Sequence, residues 1–312
     1  MKRFFAVFLI CAVLLGGCSF DAPVTKQLFA MDTLMDFTIW GKESLDSYHA
    51  LSDLIVLLES EWSVTKEDSI ASRLNRGEAV ELDAEQKAFL EKAEALSKRT
   101  GGAFDPKIYS VSAAWGFFDG DGRVPTEAQI ATALADDKWN LGAVAKGYAG
   151  EKCVEMLQEL GCPRALLNLG GNIQTYGTKA DGSPWRIGIQ DPDGGTGNLG
   201  ILTVEGTMSI VTSGDYQRYF TVDGKNYHHI MDPQTGRPAE SDLRSVTILC
   251  RDGMTADALS TALFVMGLEE AAMFWRNSSD FEAVFLTRDG KLYATEDAGL
   301  SDCEFEVIKR EN

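Results

Sequence analysis

Basic residues are scarce in this 312-residue chain, where 29 Lys and Arg stand against 47 Asp and Glu for a formal charge of −18. No basic run is available to meet a phosphate backbone, so nucleic-acid binding has no footprint here. Histidine is scarcer still, with three in the chain. The six cysteines never form a CxxC pair, which argues against a zinc site or a thioredoxin-like motif. The glycine-rich turn 140–148 carries neither the P-loop pattern nor the Rossmann pattern. The apolar run 4–15 is too short to make a good membrane span. What is present is a globular composition, 45% apolar and 24% charged, which excludes wholesale disorder. An anionic ligand would need local help from a cation or from backbone N–H groups against this acidity.

Lys2 and Arg3 precede the apolar run, and Gly16-Gly17-Cys18 follows it. That is the charged, apolar and small-residue order of a secretory signal. Leu15-Gly16-Gly17-Cys18 resembles a bacterial lipobox, in which the Cys becomes the acylated first residue. The alternative is an ordinary signal cut nearby, with Cys18 a bystander. The expected division is a signal peptide over 1–17, a lipidated tether over 18–26 and one large domain over 27–312. Cys153 and Cys250 lie in apolar runs and should be buried.

Helical periodicity predicts helices over 44–58, 84–97, 146–160, 255–266 and 268–275. Short apolar runs between turn residues predict strands over 27–41, 165–169, 185–190, 200–204, 209–212, 219–222 and 245–249. A closing hairpin over 283–287 and 291–294 turns at Asp289-Gly290. Helices and strands mix without a regular βαβ period, so the fold class is α+β.

Four segments could carry chemistry. On the helix over 255–266, Asp257 and Thr261 are four residues apart and project from one face of an apolar helix. A buried carboxylate is costly unless it is paired or binds a cation, and two oxygens one turn apart suit a hard ion such as Mg²⁺. Asp257 could equally cap its helix or pair with a Lys. The Gly/Ala-rich turn 140–148 feeds a helix, an arrangement that suits phosphate, with Lys146 as a point charge. His229, beside His228 and ahead of Asp232-Pro233, is a general base or a turn residue. Leu169-Gly170-Gly171-Asn172 ends a strand where a ligand can approach the backbone.

In chain order these segments resemble the ApbE family, the FAD:protein FMN transferases of bacterial envelopes. The resemblance runs through Met31-Asp32-Thr33, Asp68-Ser69 with Leu74-Asn75, Gly102 to Pro106 with Trp115-Gly116-Phe117, and Gly142 to Tyr148. It continues through Leu169 to Asn172, Thr212 to Tyr216, His229 to Pro238, and Thr255 to Ala258 with Thr261. It implies transfer of FMN from FAD to a protein Thr or Ser through a phosphoester bond, releasing AMP. It implies Mg²⁺ held by Asp257, Thr261 and the Ala143 carbonyl, with FAD contacts from Met31, Thr65, Ala103, Phe104, Asp105, Lys146 and Met231. His229 would be the general base, and backbone donors near 142–146 would meet the phosphate oxygens.

Two positions depart from the family pattern. Thr65 stands where many relatives carry an aromatic that stacks on FAD, unless Trp62 supplies the ring. Asn140 stands where relatives often have Asp. The partners implied are FAD, an acceptor protein carrying a Ser/Thr motif, and a bacterial membrane reached through a lipid anchor, on the periplasmic side of the inner membrane in a diderm cell. A Mg²⁺-dependent FAD pyrophosphatase and a non-catalytic flavin-binding lipoprotein are the competing readings.

Overall fold

The segment predicted as one strand over 27–41 is a hairpin. Strand β1 (Val24–Ala30) pairs antiparallel with β2 (Thr33–Trp40), closing at Ala30 and Thr33. The two turn residues, Met31 and Asp32, have positive φ of 50° and 58°, as a turn matched to strand twist requires. Asn and Gly usually fill such a turn, so Met-Asp gives no hairpin signal. β1 also takes in three residues that the sequence assigns to the tether. The computed structural model describes residues 22–194 and 197–310, so the expected signal peptide and Cys18 lie outside the described residues.

Helix α1 (Ser44–Trp62) follows, then α2 (Ile70–Asn75), α3 (Ala84–Arg99), α4 (Tyr109–Ala114), α5 (Glu127–Leu134) and α6 (Ala145–Glu159). The sequence predicts α1, α3 and α6 but not α2, α4 and α5. One or two turns are too short to show a helical period. The Thr126/Gln129 capping box that opens α5 was a local signal within reach.

Strands β3 (Arg164–Leu169) and β4 (Asn172–Tyr176) form a second hairpin, turning on Gly170 and Gly171 at φ of 66° and 95°. Next come β5 (Trp185–Gln190), β6 (Asn198–Val204), β7 (Met208–Gly214), β8 (Tyr219–Val222), β9 (Lys225–His228), β10 (Met231–Asp232), β11 (Arg237–Pro238) and β12 (Leu243–Cys250). The chain ends with α7 (Gly253–Met266), α8 (Leu268–Arg276), β13 (Phe281–Thr287), β14 (Leu292–Thr295), β15 (Leu300–Ser301) and β16 (Glu306–Ile308). The predicted closing hairpin is β13–β14, with Gly290 at φ 82°.

Nine strands make the main sheet, in the order β1-β2-β3-β4-β7-β12-β13-β14-β16, antiparallel except for β14 against β16. One face packs on helices: Met35, Phe37 and Ile39 of β2 meet Leu51 and Ile55 of α1, Phe89 of α3 and Cys153 of α6. Farther along that face, Val246 and Cys250 of β12 meet Leu259 and Phe264 of α7 and Trp275 of α8. The other face is covered by the small sheet β15-β6-β5, through Trp185, Ile187, Leu202 and Val204. The fold is α+β as expected, and Cys153 and Cys250 are buried as expected.

Where α6 meets α7, both helices carry glycine. A Cβ on Gly147 would lie 2.1 Å from the Gly253 carbonyl oxygen, and one on Gly253 would lie 2.5 Å from that of Gly147. The two backbones therefore touch, which no larger residue permits. That contact sets the start of α6 against the first turn of α7.

Candidate active site

The two hairpin turns, the start of α6 and the flank of α7 enclose a cleft of about 900 Å³. The turns stand side by side: a Cβ on Gly170 would fall 2.3 Å from Thr33. Every domain residue singled out from the sequence borders this cleft, namely Met31, Thr65, Ala103, Phe104, Asp105, Ala143, Lys146, His229, Met231, Asp257 and Thr261. They come from sequence positions more than two hundred residues apart, brought together by the order of the main sheet.

Asp257 is 4% exposed, on a helix buried on nearly all sides. It does not cap its own helix, because Asp252 does, accepting from Thr255 N–H at 2.7 Å. No Lys or Arg among the described residues forms an ion pair with it. Instead Asp257 Oδ2 accepts the Gly147 N–H at 2.9 Å, so it caps α6 from the neighbouring helix. Tyr148 N–H reaches Val144 O at 2.9 Å, so the Ala143 carbonyl lies just ahead of the α6 ladder.

Hydroxyls orient Thr261. Ser260 Oγ donates to the Asp257 carbonyl at 2.8 Å, so in the 2.8 Å contact between Ser213 and Ser260 the proton belongs to Ser213. Ser213 is then left to accept from Thr261 at 3.4 Å, which keeps the lone pairs of Thr261 Oγ1 free. A carboxylate, a hydroxyl and a carbonyl form an all-oxygen set that suits a hard divalent cation. Among the described residues no cluster of three His, Cys, Asp or Glu competes with it.

The glycine-rich turn departs from its expected role. Gly142 N–H donates to Asn140 Oδ1 at 3.2 Å, and Val144 and Ala145 both donate to Leu141 O, at 3.0 and 2.9 Å. With Gly147 committed to Asp257, most backbone donors expected to meet phosphate are already engaged. Asn140 braces this turn, a local task for which its amide suffices. The cleft is bordered by five carboxylates, Asp32, Glu59, Asp105, Asp119 and Asp257, against Lys146 and Arg218. Lys146 forms no ion pair among the described residues. A diphosphate here would depend on that ammonium and on a bound cation.

His229 is half-buried in the cleft wall. Its backbone N–H and its ring Nδ1 both reach the Arg218 carbonyl, at 3.0 and 3.2 Å. A carbonyl only accepts, so Nδ1 carries the proton and Nε2 is the free base. Desolvation first, then the Arg218 guanidinium, holds its pKa below the ordinary imidazole value. The neighbouring His228 points elsewhere, its Nε2 on the Ala239 carbonyl and its ring against Phe264.

The aromatic residues sort differently from expectation. Trp62 is 5% exposed and packs on Phe89 with centroids 4.7 Å apart, while also bordering the cleft beside Thr65. Thr65 is exposed, bonded to Ser63 Oγ at 2.9 Å. The Phe104 ring also belongs to the core, and Asp105 Oδ1 is held by the Lys107 N–H at 2.8 Å. Phe117, Phe118, Ser213 and Arg218 also border the cleft, as does Asn172 at the turn where ligand approach is expected. Phe117 belongs to the Trp115-Gly116-Phe117 motif and Ser213 to the segment 212–216, whereas Arg218 shows no local pattern.

The ApbE family model matches residues 31–285. The FAD:protein FMN transferase of Treponema pallidum (strain Nichols) is 32% identical, covering 95% of this chain and 93% of its own length. Among solved structures, the ApbE protein of Thermotoga maritima superposes with a TM-score of 0.81 at 30% identity, covering 88% of this chain and 97% of its own. The apo flavinyl transferase ApbE of Pseudomonas stutzeri gives 0.76 at 28% identity, over 88% and 95%.

Proposed function

The chain belongs to the ApbE family, and on that premise we propose that it is an FAD:protein FMN transferase acting on a Ser or Thr hydroxyl of an acceptor protein. The observation that carries this reading is the single cleft in which Asp257, Thr261, Lys146 and His229 meet. Its volume stands at the upper end of ligand clefts, with room for a dinucleotide. Asp257, Thr261 and the Ala143 carbonyl would hold Mg²⁺, which when bound neutralises diphosphate charge and makes AMP a better leaving group.

The chain's own groups do the rest. Lys146 draws the diphosphate to the start of α6. His229 Nε2 takes the proton of the incoming hydroxyl, whose oxygen forms the new bond to the FMN phosphorus. The bond from that phosphorus to the AMP oxygen breaks, and AMP departs. Most of the rate comes from holding these atoms in line. Incubation with FAD, Mg²⁺ and an acceptor protein should give a fluorescent band in a denaturing gel and one AMP per flavin attached. AMP without a labelled protein would favour the pyrophosphatase reading, and no AMP at all would favour a binding protein.

Exposure of Thr65 bears on that balance. A Tyr placed there should stack on the flavin, worth about 0.5–1.5 kcal/mol beyond area burial, or roughly threefold to tenfold in affinity. Thr65→Tyr is expected to tighten FAD binding by that factor and to slow FAD hydrolysis in the absence of acceptor. Flavin-fluorescence titration and AMP release measure both, and no change in either would remove position 65 from the flavin site.

The proposed location is outside the cytoplasm, on a lipid attached to Cys18. Five residues separate Cys18 from the first residue of β1, so the six Cα–Cα steps reach about 20 Å at full extension. Wild-type protein expressed in bacteria should partition with detergent, and Cys18→Ser should not. Equal partition of the two would exclude the anchor.

A further inference from the structure

Two buried side-chain atoms lack a hydrogen-bond partner among the described residues: Asn172 Nδ2 and His228 Nδ1. His228 does not border the cleft, but Asn172 does. Asn172 is 5% exposed and opens β4 directly after the Gly170-Gly171 turn. A buried amide donor without an acceptor is costly, and such groups are rare in folded proteins.

Its surroundings show that the omission is local. Two residues along the same strand and on the same face, Gln174 Nε2 donates to the Thr175 and Met208 carbonyls, at 2.9 and 3.1 Å. The Gln174 carbonyl oxygen in turn accepts from Ser209 Oγ. The strand thus satisfies its buried polar groups everywhere except at the end that enters the cleft.

Register places Asn172 beside Ser213. Asn172 pairs with Val211 of β7, and Ser213 stands two residues along that strand on the same face. Ser213 is the residue that contacts Thr261 at 3.4 Å. The diagonal spacing of a sheet puts the Asn172 and Ser213 positions about 7–8 Å apart. Asn172 therefore stands on the side of the cleft that carries the candidate cation oxygens, where the diphosphate of FAD would lie.

The geometry points to Asn172 as a substrate-binding residue whose Nδ2–H donates to a phosphoryl oxygen of the FMN half of FAD. This inference rests on the function proposed above. A neutral donor suits the position: it adds a hydrogen bond to the phosphate without competing with Lys146 or a cation for charge balance. It also ties recognition of the transferred phosphate to the sheet, the most rigid part of the site.

Binding of FAD, FMN and riboflavin to the whole protein, with and without Mg²⁺, tests it alongside melting curves of the ligand-free variants. Asn172→Ala is expected to melt at or above the wild-type temperature without ligand, because an unsatisfied donor has been removed. Its Kd for FAD and FMN should rise roughly tenfold to a hundredfold, the worth of a hydrogen bond to a charged group. Riboflavin, which has no phosphate, should bind as it does to wild type. Asn172→Asp keeps the shape, puts an acceptor against phosphate, and should weaken FAD binding further. Unchanged FAD affinity in Asn172→Ala, or a loss of ligand-free stability alone, overturns the assignment. So does an equal loss for riboflavin, which would move the acceptor to the ring or the ribityl chain, or retained affinity in Asn172→Asp. Failure of the wild-type protein to bind FAD would instead overturn the proposed function, and this inference with it.

Discussion

Asp257→Asn is expected to give a folded protein that transfers FMN at least a hundredfold more slowly than wild type. The side chain does two things at once. One oxygen caps α6 through the Gly147 N–H at 2.9 Å, and the carboxylate charge would hold the cation. The amide can still accept from Gly147, so the helix start survives, but the charge is gone. Loss of a Lewis acid forfeits several kcal/mol of transition-state stabilisation, and each 1.36 kcal/mol is tenfold in rate. Asp257→Ala should be equally inactive and also less stable, because it leaves the Gly147 N–H buried and unpaired at a cost of about 1–3 kcal/mol. In a domain of this size that lowers the melting temperature by roughly 2–4 °C per kcal/mol. Gel fluorescence across a Mg²⁺ titration, with melting curves of both variants, separates the two tasks. Full activity in the Asn variant, or in wild type with EDTA, would show that no cation is held there.

Asp257 also marks the limit of what is legible in the sequence. Its spacing from Thr261 is local and shows in the helix pattern. Its partner is Gly147, 110 residues away, and nothing near either residue announces the contact. The same distinction explains the glycine-rich turn. From the sequence its N–H groups look free for phosphate, whereas Asn140, Leu141 and Asp257 occupy them in the fold. Long elements with a clear apolar stripe, such as α1, α3 and α6, were foreseen because their burial follows from their own periodicity. β4 was not, because its buried positions are Asn172, Gln174 and Thr175, which look like loop residues until the sheet supplies their partners.

His229 is where tautomer, charge and burial combine into a pH dependence. With Nδ1–H fixed on the Arg218 carbonyl, Nε2 is the one nitrogen able to take a proton from an acceptor hydroxyl. His229→Ala should slow transfer by roughly 10²–10⁴-fold, the usual contribution of a general base, with FAD affinity retained. Desolvation, Arg218 and Lys146 all favour the neutral ring, so its pKa in the free enzyme lies below the ordinary 6.5. The base is therefore ready at neutral pH, and kcat/KM should fall only as pH drops below 6.5. FAD brings negative charge beside the ring, which raises the pKa in the complex, so the acid limb of kcat should lie at higher pH than that of kcat/KM. Stability follows with a definite sign. Below 6.5 the unfolded chain takes up the proton before the folded one, so this residue destabilises the fold as pH falls through that window. His229→Ala should remove both the limb and its share of the acid sensitivity, leaving the contribution of the similarly depressed His228. An acid limb in kcat/KM that persists unchanged in the Ala variant would assign the base to another group.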